Sequence, residues 1–189
     1  MHIPASMLTG AICPVTAAVS VAGLGIAVAA AKKSENKPSN TKFAAVTALI
    51  FALQMLNYPV QNGTSGHLVG ALLGVSLLGT PFAVLSMAIV LAIQSIFFGD
   101  GGINALGANI LNMSLIAAGL GGYIFHTLKN KGVNGHLALG SASLLSVLAA
   151  AFACSLQVGI SGTVLFTQVL PAMLSVHVLI GIGEAALTV

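Results

Sequence analysis

The chain has 189 residues, 57% of them hydrophobic and 5% charged, against roughly 25% charged in a soluble globular domain. Six Lys+Arg, three Asp+Glu and a mean hydropathy of +1.05 leave too little polar surface to solvate a fold of this size, which excludes soluble enzymes and nucleic-acid binders in favour of a membrane protein. The net charge of +3 rests on a handful of lysines, and two cysteines, Cys13 and Cys154, are too few for a disulfide framework or a thiolate cluster.

One crossing of the hydrocarbon takes about 20 apolar residues. Turn and break signals divide the chain into seven predicted helices, approximately Leu8 to Ala31, Phe43 to Tyr58, Leu68 to Leu78, Pro81 to Phe98, Ile103 to Leu128, Leu137 to Leu156 and Val164 to Leu187. The third is too short to span untilted, and Gly79-Thr80-Pro81 is where it should stop. The first is not read as a cleaved signal peptide, because Met1 to Thr9 has no Lys or Arg and the basic residues follow the apolar run. The polar stretch Lys32 to Lys42 reads as a flexible linker.

Lys32, Lys33, Lys37 and Lys42 flank the first linker and Lys129 and Lys131 the second, so both are expected on the cytoplasmic side. Four segments lie between them, an even number as the rule demands. The amino terminus and the loops at about 57–67, 98–102 and 157–162 then face outside, and the carboxyl terminus inside. The expectation is an all-α polytopic bundle of about seven transmembrane helices, forming a single integral membrane domain over residues 1–189.

Polar residues concentrate in the external loops: His2, Asn57, Gln61, Asn62, Thr64, Ser65, His67 and Asp100. A solvated loop explains the Asn, Gln, Thr and Ser by itself; the histidines ask for more. A bulky second residue protects Met1 from removal. The Met1 amine, the deprotonated amide of His2 and Nδ1 of the same imidazole can then close a five- and a six-membered chelate ring in one plane. A fourth nitrogen completes a tetragonal set suited to Ni(II) or Cu(II) rather than Zn(II), and His67 is the other histidine expected on that face. A frayed, solvated terminus is the alternative for His2, and Ile3-Pro4 stiffens the chain against it. Asn62-Gly63-Thr64-Ser65-Gly66 allows a tight approach to an ion, and Asp100 fits either a ligand or a carboxylate orienting an imidazole.

Gln94, Asn104, Asn109 and Asn112 sit in outer half-spans, with Asn109 and Asn112 on one inward face. His177 and Glu184 share a face of the last span. By depth Glu184 falls near the cytoplasmic end, out of reach of an external ion, and helix packing or a partner contact is its expected role. Ala44, Ala48 and Ala52 form a small-residue stripe that marks a helix contact within the chain or with another subunit. No G-x-x-x-x-G-K-[ST] loop occurs, so the chain has no motif for hydrolysing a nucleotide itself.

Met1-His2-Ile3-Pro4, Thr64-Ser65-Gly66-His67-Leu68, the run Gln94 to Met113 and the terminal His177 to Thr188 together resemble the CbiM/NikM family, the substrate-binding membrane components of energy-coupling-factor (ECF) cobalt and nickel transporters. The resemblance implies seven helices, an amino terminus inserted from outside to bind the ion, and ligands at the Met1 amine, the His2 amide and imidazole and the His67 imidazole. Thr64, Ser65, Gln94, Asp100 and Asn109 are the candidates for residues supporting those ligands. The resemblance also implies a transmembrane coupling component docked on the alanine stripe, with Glu184 a further contact candidate, together with two ATP-binding cassette ATPases and a small accessory membrane subunit. The substrate would be Ni(II) or Co(II), with no organic cofactor, in the plasma membrane of a prokaryote. Two departures stand out: Ala5-Ser6 replaces the family's acidic residue and glycine, and no basic tail follows the last motif. The expected function is ATP-driven uptake of Ni(II) or Co(II) bound at the outer face. A passive or proton-coupled cation carrier is the first alternative and an intramembrane metalloenzyme the second.

Overall fold

Seven helices follow one another with short connections, as described for residues 1–189 by a computed structural model. They are α1 (Ile12–Lys33), α2 (Asn40–Met55), α3 (Ala71–Leu78), α4 (Thr80–Phe97), α5 (Ile103–Asn130), α6 (Gly135–Ile160) and α7 (Phe166–Thr188). Five of them, α1 and α4 to α7, are long and apolar enough to cross a membrane. The expected boundaries hold to within about four residues for all seven helices, and capping groups sit where two of the polar linkers end. Ser39 Oγ accepts the Lys42 amide ahead of α2, and Asn134 Oδ1 accepts the His136 and Leu137 amides ahead of α6.

The core is largely apolar, as in a water-soluble bundle, but the outer surface is apolar as well and several polar side chains lie inside. Val15, Val21, Ile26, Leu179 and Ile182 are exposed, whereas Gln54, Gln94, Asn109 and Asn112 are buried. In lipid the apolar surface has nothing to gain by hiding, so helices associate through close packing and satisfied polar groups. Asn112 and Gln157 exchange reciprocal amide bonds of 3.0 and 2.8 Å between α5 and α6. A Cβ on Gly107 would lie 2.5 Å from the Ala17 backbone, so this glycine lets α1 and α5 touch. Within α5, residues Ile110–Leu120 take the wider π-helical turn, directly after Asn109, a departure that tends to accompany functional sites.

The lysine-bearing first linker and the loops that carry Thr9, Asn57, Asp100 and Ser161 lie at opposite ends of the bundle. Ser34, Asn36, Lys37 and Lys42 line one crevice with Leu77, Gly79 and Pro81. At the opposite end Thr9 pairs with Ser161, Thr163 with Met7, and Asn57 with Asp100.

The third segment departs from a simple crossing. After α2, a two-stranded hairpin pairs β1 (Tyr58–Pro59) with β2 (Ser65–Gly66) in antiparallel register, its turn closed by Asn62 at φ 57° and the bond from Gly63 N to Val60 O. From there the chain descends into the bundle, Thr64 against Met173 of α7 and Val69 and Gly70 against Glu184 eleven residues further along that helix. Only then does α3 begin, eight residues and about 12 Å long, ending at Gly79 with φ 83° before Pro81 starts α4. The span expected over Leu68 to Leu78 is thus an extended descent plus a half-helix.

Glu184 stays near the carboxyl-terminal end of α7, as its position in the chain requires, and it is the loop that descends to meet it. The carboxylate, 1% exposed and bonded to the backbone of residues 69 and 70, is not free for the partner contact expected of it. His67 likewise does not lie in a solvated outer loop but is 1% exposed within the bundle.

Candidate metal centre

The amino terminus is threaded into the fold. Met1, His2 and Ile3 are 0%, 2% and 0% exposed, so the frayed-terminus alternative does not hold. The Met1 amine donates to the Ser65 carbonyl and, over 2.9 Å, to Ser65 Oγ, which also accepts the His2 amide at 2.9 Å. One residue on, Asn109 treats Ile3 as a neighbouring strand would, accepting its amide at 2.8 Å and donating to its carbonyl at 3.3 Å. Gly101 makes room for that amide: its φ is +78°, and a Cβ there would sit 2.3 Å from Asn109 Nδ2. Asn109→Ala should therefore loosen the whole terminus. We expect amide exchange at residues 2 and 3 to accelerate about tenfold, the effect of one or two lost buried hydrogen bonds, while the helical circular dichroism is retained.

The docked terminus brings two imidazoles together, with the His2 and His67 ring centroids 4.7 Å apart. His67 Nδ1 lies 2.8 Å from the Leu68 carbonyl, which makes Nδ1 the protonated nitrogen and leaves the Nε2 lone pair free. That Nε2 is buried and has no hydrogen-bond partner. A histidine whose far nitrogen is tied to a carbonyl while the near one is unpaired is the arrangement metal sites use. His2 Nδ1 lies 2.5 Å from Asp100 Oδ2, out of line for a hydrogen bond, so neither of its ring nitrogens is satisfied. Asp100 thus meets the chelating nitrogen itself rather than the far side of the ring.

Burial prepares these nitrogens for a cation. Desolvation pushes the Met1 amine down from 8.0 to about 5, against the raising influence of Cys154 and Asp100. Burial also lowers His2, outweighing Asp100, and lowers His67 well below its usual range, helped by the neighbouring amine and His2. Burial alone would raise Asp100, but its contact with the His2 ring leaves it below the ordinary carboxylate value. At neutral pH the amine and both imidazoles are therefore uncharged. A neutral amine spends its two N–H bonds on Ser65 and keeps a lone pair.

Of the expected supporting residues, Ser65, Asp100 and Asn109 touch the Met1–Ile3 segment directly. Thr64 does not; its hydroxyl faces Cys154 and Met173 sulfurs at 3.7 Å. Gln94 acts through its main chain, whose carbonyl accepts the amides of Phe98 and Asp100 and so folds the Asp100 loop. Sequence reading missed Gln54, whose Nε2 donates to Val69 O at 2.8 Å; its one signal was an amide in an otherwise apolar span. It also placed His177 away from the site. That ring is fully buried, with Nδ1 2.7 Å from Met173 O and Nε2 unpartnered, on the stretch of α7 between the Thr64 and Val69 contacts. No three His, Cys, Asp or Glu side chains form a metal cluster by themselves. A metal held at this place would need main-chain nitrogens among its donors.

Comparison with known proteins follows the same lines. The sequence profile described as "Cobalt uptake substrate-specific transmembrane region", CbiM, matches residues 2–189. An Archaeoglobus fulgidus relative of the NikMN type is 36% identical over 190 residues, covering all of this chain and 63% of its own. A cobalt transport protein CbiM of Acetoanaerobium sticklandii is 32% identical over 169 residues, covering 83% of this chain and 68% of its own. This chain thus spans about two thirds of the length of these relatives. The crystal structure of a truncated transition metal transporter superposes with a TM-score of 0.92 at 33% identity, covering 100% of this chain and 94% of that one.

Proposed function

The chain belongs to the CbiM family of cobalt-uptake substrate-specific transmembrane regions, and from that premise we propose that it is the ion-binding component of an ECF-type transporter for Ni(II) or Co(II) in a prokaryotic plasma membrane. The observation that carries this reading is the convergence of the Met1 amine, the His2 amide and imidazole and the unpartnered Nε2 of His67 in one buried place. Amine, amide and Nδ1 form the two fused chelate rings, and His67 closes the plane. Four nitrogens in a plane suit Ni(II) more than Zn(II), and the Irving–Williams order favours Ni(II) over Co(II). Asp100, the one carboxylate at that end of the bundle, draws the cation in and yields the His2 ring to it. Competition titration of the purified chain with both ions tests this; absence of tight binding of either ion overturns it.

Proton competition gives a second test. Metal must displace the His2 amide proton at any ordinary pH, but the amine, lowered to about 5, is already free of its proton at pH 7. Affinity should therefore fall about tenfold per pH unit between pH 8 and 6, one proton's worth, and more steeply below about pH 5. An amine left at its ordinary value would give two protons' worth over that range. Linkage has the same sign for the terminus without metal: the undocked amine binds more protons between pH 5 and 8, so docking is strongest above pH 8 and weakens as pH falls toward 5.

Energy for uptake comes from partners in this reading: a transmembrane coupling protein and two ATPases, with a small accessory membrane subunit. Ala44, Ala48 and Ala52 lie on the exposed face of α2, opposite the buried Val46, Ile50 and Gln54. Ala44 and Ala48 line an apolar groove with Phe43, Phe51, Ile89 and Ile93, the surface on which the coupling helix would dock. The passive or proton-coupled carrier would need His177 and Glu184 as a relay, and the commitment of Glu184 to two main-chain amides weighs against it. Ion uptake into liposomes holding this chain alone would favour that carrier; a requirement for the ATPases excludes it.

A further inference from the structure

Of the three carboxylates in the chain, Glu35 is exposed in the lysine-rich linker, Asp100 sits at the opposite end, and Glu184 alone lies inside the bundle, 1% exposed. An ionised group at that depth is costly unless something meets its charge. No lysine or arginine does. Its Oε1 instead accepts the amides of Val69 and, at 2.7 Å, Gly70, the residues leading into α3. Those amides have no partner within the half-helix and sit at its positive end. Gly70, at φ +72°, turns the chain so that both amides point at one oxygen.

From the other side, Gln54 Nε2 of α2 donates to Val69 O. Residues 69 and 70 are thus gripped between α7 and α2. The residue just upstream, Leu68, offers the carbonyl that takes His67 Nδ1 and so decides which His67 nitrogen carries the lone pair. We propose that Glu184 is a positioning residue for the metal-binding histidine: by holding Val69 and Gly70 it fixes the Leu68 carbonyl, and through it the tautomer and aim of His67. This inference rests on the reading of Met1, His2 and His67 as the ion site. Glu184 never touches the ion.

The geometry distinguishes this role from a simple charge or a space-filler. Both amides go to a single oxygen, so an amide carbonyl can replace the carboxylate. Glu184→Gln should bind Ni(II) within about threefold of the unaltered chain. Glu184→Leu fills similar space without an acceptor, and Glu184→Asp keeps the charge one methylene short of reach. The loss should be roughly thirtyfold for Leu and tenfold for Asp, as for two buried hydrogen bonds removed or stretched. Full-length protein in nanodiscs would be titrated with Ni(II), with the visible d–d absorption of the planar nickel–amide set as the readout of His67 aim. Amide exchange at residues 68–72 without metal would be followed in parallel, and should accelerate in Leu and Asp but not in Gln. Asp and Leu variants with the affinity, spectrum and exchange of the unaltered chain would overturn the proposal, and a Leu variant that fails to fold leaves the Asp-against-Gln comparison to decide it. If the unaltered chain bound neither ion, the metal-site reading would fall instead, and the exchange rates at Val69 and Gly70 would still show whether the grip exists.

Discussion

Extending the chain by even a few residues ahead of Met1 is expected to abolish high-affinity metal binding, while the same tag after Val189 leaves it intact. The extension turns a primary amine into a peptide amide. That removes the most basic donor of the set and, with it, the five-membered chelate ring that favours loss of the His2 amide proton. The site also has no room: the Met1 amine is buried against Ser65, and a preceding residue would have to pass through packed protein or drag the terminus out. If it is dragged out, the bonds from His2 to Ser65 and from Ile3 to Asn109 go too. Loss of two of four planar donors corresponds to at least a thousandfold in affinity, about 4 kcal/mol. Titration of both extended chains with Ni(II), with helical content compared by circular dichroism, checks it. Equal affinity for the two would mean the terminus is not a ligand.

Helix number and order were legible because membrane crossings are written in long apolar runs separated by a few polar or helix-breaking residues. The one architectural feature that could not be read was the descent of residues 64–70. Gly66-His67-Leu68-Val69-Gly70 has no periodicity, and its path is fixed by contacts with residues more than a hundred positions away, Met173 and Glu184. Reading residues 57–67 as an external loop left His67 outside the bundle and left Glu184 without the backbone partners it meets there. A half-helix of eight residues looks like a failed span unless the carboxylate that satisfies its free end is known.

For the proposed site, the expectation of a chelating dipeptide comes from covalent chemistry alone, since the ring sizes that Met1 and His2 could close need no tertiary structure; the fold adds that both residues are buried beside His67. The choice of His67 depended on topology, and the hairpin delivers it within 4.7 Å of the His2 ring. Supporting residues were legible in type but not in action. Asn109 and Ser65 work on the backbone of residues 1–3, and Gln94 through its own carbonyl, relations that side-chain identity does not encode. His177 was grouped with Glu184, with which it shares a face of the last span, and its place on α7 between the Thr64 and Val69 contacts appears only in the fold.

Replacing His67 by Ala should weaken Ni(II) binding by more than about a hundredfold. Altering only the groups that support a metal ligand typically reduces affinity ten- to a hundredfold, and here the ligand itself goes, leaving three donors and an open position. The change should be visible as well as weaker, since the d–d absorption of a planar four-nitrogen set shifts when water or nothing replaces the fourth nitrogen. Loss of a buried ring also costs packing, so affinity alone would not separate a ligand from a core residue. Added imidazole makes the separation. His67, itself buried, is among the residues lining a crevice of about 300 Å³ with Leu56, Tyr58, Leu68, Leu179, Ile180 and Gly183, from which a free imidazole could enter the space that the ring vacates. In His67→Ala, millimolar imidazole is expected to restore both the absorption and much of the affinity, whereas it should do nothing for a chain extended before Met1, where the missing donors are main-chain atoms. A His67→Ala variant with unchanged affinity, or one that imidazole leaves unaffected, would remove His67 from the ligand set and with it the planar geometry on which the preference for Ni(II) depends.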